Sequence, residues 1–165
     1  MPEAAAVLAR VVALASCLGA CAGAERPGSS AAPAAAVVVA AYGPVAPTEV
    51  PGRSLYLVRY EITPGTRLRP HRHEGTQIGL VASGTLTYHV LTGQVPVYRA
   101  GEDGKPAVLA RTLTAGEVGR ISAGEWVVER PDVRHWGANQ GPAPLVVYTS
   151  SLLRAGAPLA TLDPP

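Results

Sequence analysis

From residue 37 to the carboxyl terminus, the chain is a series of short β-branched or aromatic runs separated by Gly and Pro. No segment there repeats apolar residues at the spacing of an amphipathic helix. In 55–62 and in 85–91 every second residue is apolar, which is typical of strands with one buried face. This pattern predicts an all-β protein, either an antiparallel barrel or a sandwich.

The same pattern predicts where the strands lie. We expect strands at 55–62, 77–82, 85–91, 118–122, 126–129, 135–138 and 145–151, the last of which closes the barrel. Residues 92–111 carry several Gly and Pro and predict a long, mobile connection with one edge strand at 95–99. Segment 77–82 is apolar on both faces, so we expect its outer face to be covered by a second sheet of the same chain or by a second copy.

The amino terminus has a different composition. Arg10 precedes the short apolar run 11–18, which is too short to span a bilayer and is typical of a cleaved export signal. Leu18-Gly19-Ala20-Cys21 resembles the lipobox of bacterial lipoproteins, which implies cleavage before Cys21 and its acylation. Cys17 is a weaker alternative, because cleavage there leaves too short an apolar region. An ordinary secretory signal or an N-terminal helix would explain the run without lipid.

These features divide the chain into a signal peptide at 1–20, a flexible linker at 21–36 after lipidated Cys21, and a barrel domain at 37–165. The linker is rich in Ala, Gly, Ser and Pro and has no apolar periodicity with which to bury itself. The protein is therefore expected to be exported and held at the membrane by lipid, on the periplasmic or extracellular face. No cysteine follows Cys21, so the barrel must be stabilised by packing without disulfides.

Charge narrows the range of partners. The chain has 14 Lys and Arg against 12 Asp and Glu, a net charge of +2. That is too small for the basic surface that nucleic-acid binding needs, so a small-molecule ligand or substrate is expected. The sequence also lacks the Gly-x-Ser-x-Gly motif of serine hydrolases and any phosphate-binding loop.

Three histidines form the candidate site. His71 and His73 are two residues apart, which on an extended strand projects both imidazoles from one face, about 7 Å apart along the backbone. Gln77 continues the even spacing after a turn at Glu74-Gly75. His135 is distant in sequence, but a closed β-structure can bring it opposite the other two.

The spacing of these residues resembles the two motifs of the cupin family. The first motif is Gly, five residues, His-x-His, three or four residues, Glu, six residues, Gly, and the matching positions here are Gly65, His71, His73, Gln77 and Gly84. The second is Gly, five residues, Pro-x-Gly, two residues, His, three residues, Asn, and the matching positions are Gly124, Arg130, Asp132, His135 and Asn139. The spacing is intact, but Gln77 replaces the Glu, Arg130 the Pro and Asp132 the Gly.

The resemblance implies a cupin-type jelly-roll barrel, often dimeric, in which His71, His73 and His135 bind a divalent metal such as Fe, Mn, Ni or Zn and Gln77 takes the place of the fourth ligand. A neutral Gln77 would leave the full charge of the ion, favouring anionic substrates, and could not act as a general base. Metal-centred chemistry of the Fe(II) dioxygenase type is then expected on a small anionic or hydroxylated compound. The alternative is a non-catalytic protein that binds a small ligand or a metal at the cell surface.

Other residues have weaker claims to a role. Arg67 and Arg69 share the parity of His71 and could meet a substrate carboxylate at the barrel mouth, although solvent exposure is the default for arginines. The residues expected at the surface or in packing are His89, Glu74, Trp126 and Trp136.

Overall fold

The computed structural model describes residues 37–164, which form twelve β-strands and one turn of 3₁₀ helix at Glu102–Gly104. The strands are β1 Val37–Val45, β2 Arg53–Ile62, β3 His71–Arg72, β4 Gly75–Ser83, β5 Thr85–Thr92, β6 Gln94–Arg99, β7 Val108–Thr114, β8 Val118–Ser122, β9 Glu125–Glu129, β10 Arg134–Ala138, β11 Leu145–Arg154 and β12 Thr161–Leu162. The predicted signal segment, Cys21 and the linker lie outside the described residues.

The strands form two antiparallel sheets. The larger has the order β1-β2-β11-β4-β9-β6-β7 and the smaller the order β12-β3-β10-β5-β8. Alternate side chains of both sheets meet in one apolar core, which includes Ile62, Val81, Tyr88, Ile121 and Leu145. This is the jelly-roll β-barrel that the alternating pattern and the motif spacing predict.

Two details of the prediction for the strands are wrong. Strand β6 is not an edge, since it pairs with both β7 and β9, and the sequence analysis missed both edge strands of this sheet, β1 and β7. Val95 and Val97 of β6 are fully buried, while Gly93 supplies a tight turn at a φ of 77°, so the Gly and Pro residues mark turns around strands. Strand β11 does not close the barrel but lies inside the larger sheet, between β2 and β4.

The outer face of β4 is exposed. Ile78 is 44% exposed and Leu80 37%, and no segment within residues 37–164 covers them. Neighbouring strands add Leu55, Leu57 and Tyr148 to this apolar surface. Cover by a second sheet of the described chain is therefore excluded, and cover by a second copy remains a prediction.

The described residues contain no helix with the length and apolar character that a bilayer crossing requires.

Candidate metal centre

Strand pairing brings the three predicted histidines together. Strand β3 pairs with β10 so that His71 is directly opposite His135, and His73 follows β3 at the start of the next turn. The ring centroids are 4.3 Å apart for His71 and His135, 5.1 Å for His71 and His73, and 5.3 Å for His73 and His135. One ligand nitrogen from each ring lies within 4.8 Å of the other two, and all three residues are buried. The cluster is positioned for one metal ion.

Backbone carbonyls orient two of these rings. His71 Nδ1 is 2.7 Å from the carbonyl oxygen of Arg69, and His73 Nδ1 is 2.7 Å from that of Leu159. Because a carbonyl only accepts hydrogen bonds, each Nδ1 carries the proton and donates it, so the metal-binding lone pair of the neutral ring is on Nε2. Leu159 lies just before β12, which pairs with β3, so the carboxyl-terminal segment helps to orient His73.

Gln77 directs its nitrogen, and not its oxygen, toward the histidines. The Gln77 amide nitrogen is 3.1 Å from His73 Nε2 and 2.7 Å from an oxygen of Glu129, while the Gln77 oxygen accepts a 2.6 Å hydrogen bond from the Ser151 hydroxyl. The opposite amide orientation would place its oxygen against the Glu129 carboxylate, which can only accept. This orientation disfavours Gln77 as a metal ligand.

Glu129 is the site residue that the sequence analysis missed. It is 3% exposed and lies on β9, directly opposite Gln77 on β4. One carboxylate oxygen is 3.3 Å from His73 Nε2, and the other is 3.3 Å from His135 Nε2 and accepts a 2.8 Å hydrogen bond from the Tyr88 hydroxyl. Tyr88 also stacks on His135, with centroids 5.0 Å apart. A carboxylate therefore faces the imidazoles from the opposite sheet.

The signal that could have located Glu129 is strand alternation. In 126–129 the inward parity of Val127 extends to Glu129, which predicts a buried carboxylate at a strand end. Its position beside Gln77 depends on the pairing of β4 with β9, which the sequence pattern does not specify.

Burial and charge set the protonation of the cluster. Burial lowers the pKa of His135 to about 4 and also lowers the pKa of His71. Burial acts in the same direction on His73, but the Glu129 carboxylate and the Leu159 carbonyl outweigh it, so the pKa of His73 is raised. For Glu129 burial acts to raise the pKa, but His135, His73 and Tyr88 outweigh it and the net shift is downward. Near neutral pH the site thus holds an ionised Glu129 carboxylate and the neutral imidazoles of His71 and His135.

The cluster borders a cavity of about 400 Å³ between the two sheets. Its other walls are mainly apolar and include Ile62, Leu86, Val127 and Val147. A cavity of this size and character suits a small organic molecule with an apolar body.

Both arginines border the cavity, but the guanidinium group of each also contacts another part of the chain. The Arg67 guanidinium lies 3.8 Å from the ring centroid of Trp136, which alternates to the side of β10 opposite His135. Arg69 borders the cavity, and its guanidinium donates to the carbonyl of Asp163. Both arginines therefore remain candidates for contact with a substrate.

The residues expected at the surface or in packing lie outside the histidine cluster. His89 is half-buried and stacks on Trp136 at 3.5 Å, so it is less exposed than predicted. Glu74 forms surface ion pairs with Arg72 and Arg154. Trp126 stacks against Tyr98, as expected of a packing residue.

The chain is similar to solved structures of the cupin superfamily, whereas no protein-family model and no curated protein matches it. A cupin superfamily protein from Desulfitobacterium hafniense is 9% identical, with 72% of this chain and 78% of that chain covered and a TM-score of 0.47. A cupin 2 domain-containing protein from Halorhodospira halophila is 15% identical, with 79% and 70% covered and a TM-score of 0.48. An oxalate decarboxylase from Lactobacillus farciminis, in a formate complex, is 17% identical, with 67% and 26% covered and a TM-score of 0.41.

Metal affinity should weaken as the pH falls below neutrality. His73, which faces Glu129, Gln77, His71 and His135, has a pKa raised above its ordinary 6.5 and must lose its proton to bind an ion. His71 and His135 have lowered pKa values, so they stay neutral to lower pH than His73 does. Below the pKa of His73 the affinity should fall about tenfold per pH unit, and above it the affinity should level off. Zn²⁺ titrations between about pH 5.5 and 8 measure this, and a flat profile or a three-proton slope would contradict it.

Proposed function

We propose that this protein is a metal-dependent enzyme of the oxygenase type that acts on a small hydroxylated organic compound. The observation that carries the proposal is the convergence of three buried imidazoles, with ligand nitrogens within 4.8 Å of one another, on the wall of a cavity of about 400 Å³. Imidazole nitrogens suit Fe, Mn, Ni and Zn, and a metal held by few protein ligands keeps positions open to a substrate.

The histidines, the apolar cavity walls and Tyr88 have separate roles in this proposal. His71, His73 and His135 would hold the ion, which when bound supplies a Lewis acid and, if it is iron, a redox centre. The apolar walls exclude water and bind the body of the substrate. Burial and the Glu129 charge raise the pKa of Tyr88 well above its ordinary value, so its hydroxyl keeps its proton and continues to donate to Glu129.

Glu129 changes the substrate expected from the sequence. The buried carboxylate offsets one of the two positive charges of a divalent ion, which weakens the preference for anionic compounds that a neutral Gln77 implied. A hydroxylated compound, which needs less positive charge, is favoured over a strongly anionic one.

Oxygen uptake tests the proposal. The iron-loaded protein is offered catechols, flavonols, thiols and hydroxy acids in turn, with an iron-treated His135→Ala variant as the control. We expect saturable oxygen consumption with a hydroxylated compound and none in the variant. Stoichiometric metal without turnover across the panel would instead support a protein that only binds a ligand or a metal.

We also propose that the chain is exported and anchored to the cell envelope by lipid on Cys21. The support is Leu18-Gly19-Ala20-Cys21 after a short apolar run, with no later cysteine. In bacteria fed labelled palmitate, the full-length chain should incorporate label and fractionate with membranes. A Cys21→Ala variant should lose the label, whereas Cys17→Ala should keep it. Label retained in Cys21→Ala and lost in Cys17→Ala would assign the anchor to Cys17.

A further inference from the structure

We propose that Glu129 is the fourth protein ligand of the metal. The carboxylate of this site then comes from β9, the strand next to β4, which carries Gln77. This inference rests on the proposed metal site and adds a ligand to it. Gln77 and Glu129 are paired residues of adjacent strands β4 and β9, and both are buried on the face toward the histidines. The pair therefore places one amide and one carboxylate side by side on that face.

The distances agree with shared coordination. Glu129 oxygens lie 3.3 Å from His73 Nε2 and 3.3 Å from His135 Nε2. Two ligand atoms bound to one ion at 2.0–2.2 Å are about 3.0 Å apart in octahedral geometry and about 3.5 Å apart in tetrahedral geometry. The observed separations fall between these values, so Glu129 is close enough to both imidazoles to share an ion with them.

Neighbouring groups hold the carboxylate in place. The Tyr88 hydroxyl donates to one oxygen at 2.8 Å, and the Gln77 amide donates to the other at 2.7 Å. Ser151, on the neighbouring strand β11, holds the Gln77 amide in this orientation by donating to its oxygen at 2.6 Å. Hydrogen bonds of this kind orient carboxylates that bind metals. Gln77 is therefore a positioning residue for Glu129.

Burial also favours a cation at this point. A carboxylate that is 3% exposed needs a compensating charge, and in the described chain its ion-pair partners are His73 and His135, with no Lys or Arg among them. A divalent ion among the imidazoles would supply that charge.

The test compares the full-length chain with Glu129→Gln and with the exchanged pair Gln77→Glu/Glu129→Gln. Affinity for Co²⁺ is measured in chelator-buffered solution, together with the visible spectrum of bound Co²⁺. Glu129→Gln should lower affinity at least about a hundredfold and alter the spectrum. The exchanged pair should return affinity to within about tenfold of the original, because one carboxylate again faces the ion. Glu125→Gln, on the same strand but paired with Arg111, should change neither.

Each result bears on the proposal. Unchanged affinity and spectrum in Glu129→Gln would overturn it and leave the three-histidine site intact. If circular dichroism shows that Glu129→Gln does not fold, the double variant Gln77→Glu/Glu129→Gln gives the answer. Restored Co²⁺ binding by that variant supports the proposal, and a variant that folds but binds Co²⁺ weakly overturns it. Absence of Co²⁺ binding by the unaltered chain would overturn both this proposal and the metal site itself.

Discussion

Replacing His135 with Ala should leave the barrel folded and remove most of its metal affinity. His135 is 4% exposed and is the one histidine of the cluster on β10, where it faces His71 across the strand pair. Loss of groups that merely orient metal ligands lowers affinity 10–100-fold, so loss of a ligand should lower it at least about a hundredfold. Equilibrium dialysis at a buffered free metal concentration, followed by elemental analysis, measures the change.

The matched control is His89→Ala. His89 is the remaining histidine of the chain, and it stacks on Trp136 outside the cluster. The His89→Ala variant should bind metal as the unaltered protein does, and its circular dichroism spectrum should be similar. Equal metal content in the His135 and His89 variants would refute the assignment, because His135 would then contribute no more than an imidazole outside the cluster.

Replacing Gly75 with Ala should strongly destabilise the fold. A Cβ at this position would lie 2.1 Å from the carbonyl oxygen of Leu152 and 2.7 Å from the Cα of Leu153, and both are backbone atoms of the paired strand β11. Because backbone cannot rotate away, β4 must separate from β11. We expect the free energy of unfolding to fall by about 3 kcal/mol or more and the Tm by ~10 °C or more. Thermal unfolding followed by circular dichroism measures this.

The same strand provides the control for Gly75. At Gly79 an added Cβ would meet Val127 Cγ2 at 3.4 Å, an ordinary contact with a side chain. Gly79→Ala should therefore unfold near the midpoint of the unaltered chain. Gly75→Ala should also bind metal weakly even where it is folded, since Gly75 lies between His73 and Gln77. Equal midpoints for the two variants would show that β4 can move away from β11 at little cost.

The sequence predicted most of the fold where alternation was regular. Strand 118–122 matches β8, and 85–91 differs from β5 by one residue, because Leu86, Tyr88 and Val90 form an unbroken buried face. Strand β7 was missed since its residues are mostly exposed and alternate weakly. Strand β12 has two residues and is held by pairing with β3, so no local pattern marks it.

The candidate site was predicted only as far as spacing along the chain reaches. His71 and His73 share a strand-like segment and His135 follows from the second motif, so their convergence was predictable. The roles of Gln77 and Glu129 depend on which strands are neighbours and in what register. Hydrogen bonds from Ser151 and Tyr88 then determine that the carboxylate, and not the amide oxygen, faces the imidazoles. These contacts join residues distant in sequence, which periodicity does not specify.

X-ray absorption at the metal edge of the loaded full-length chain tests the metal site most directly. The predicted result is one ion per chain, with nitrogen and oxygen ligands at about 2.0–2.2 Å and the outer-shell scattering of three imidazole rings. A chain that retains less than about a tenth of an equivalent of metal, or an ion with scattering from at most one imidazole, would contradict the assignment of His71, His73 and His135 to a single centre.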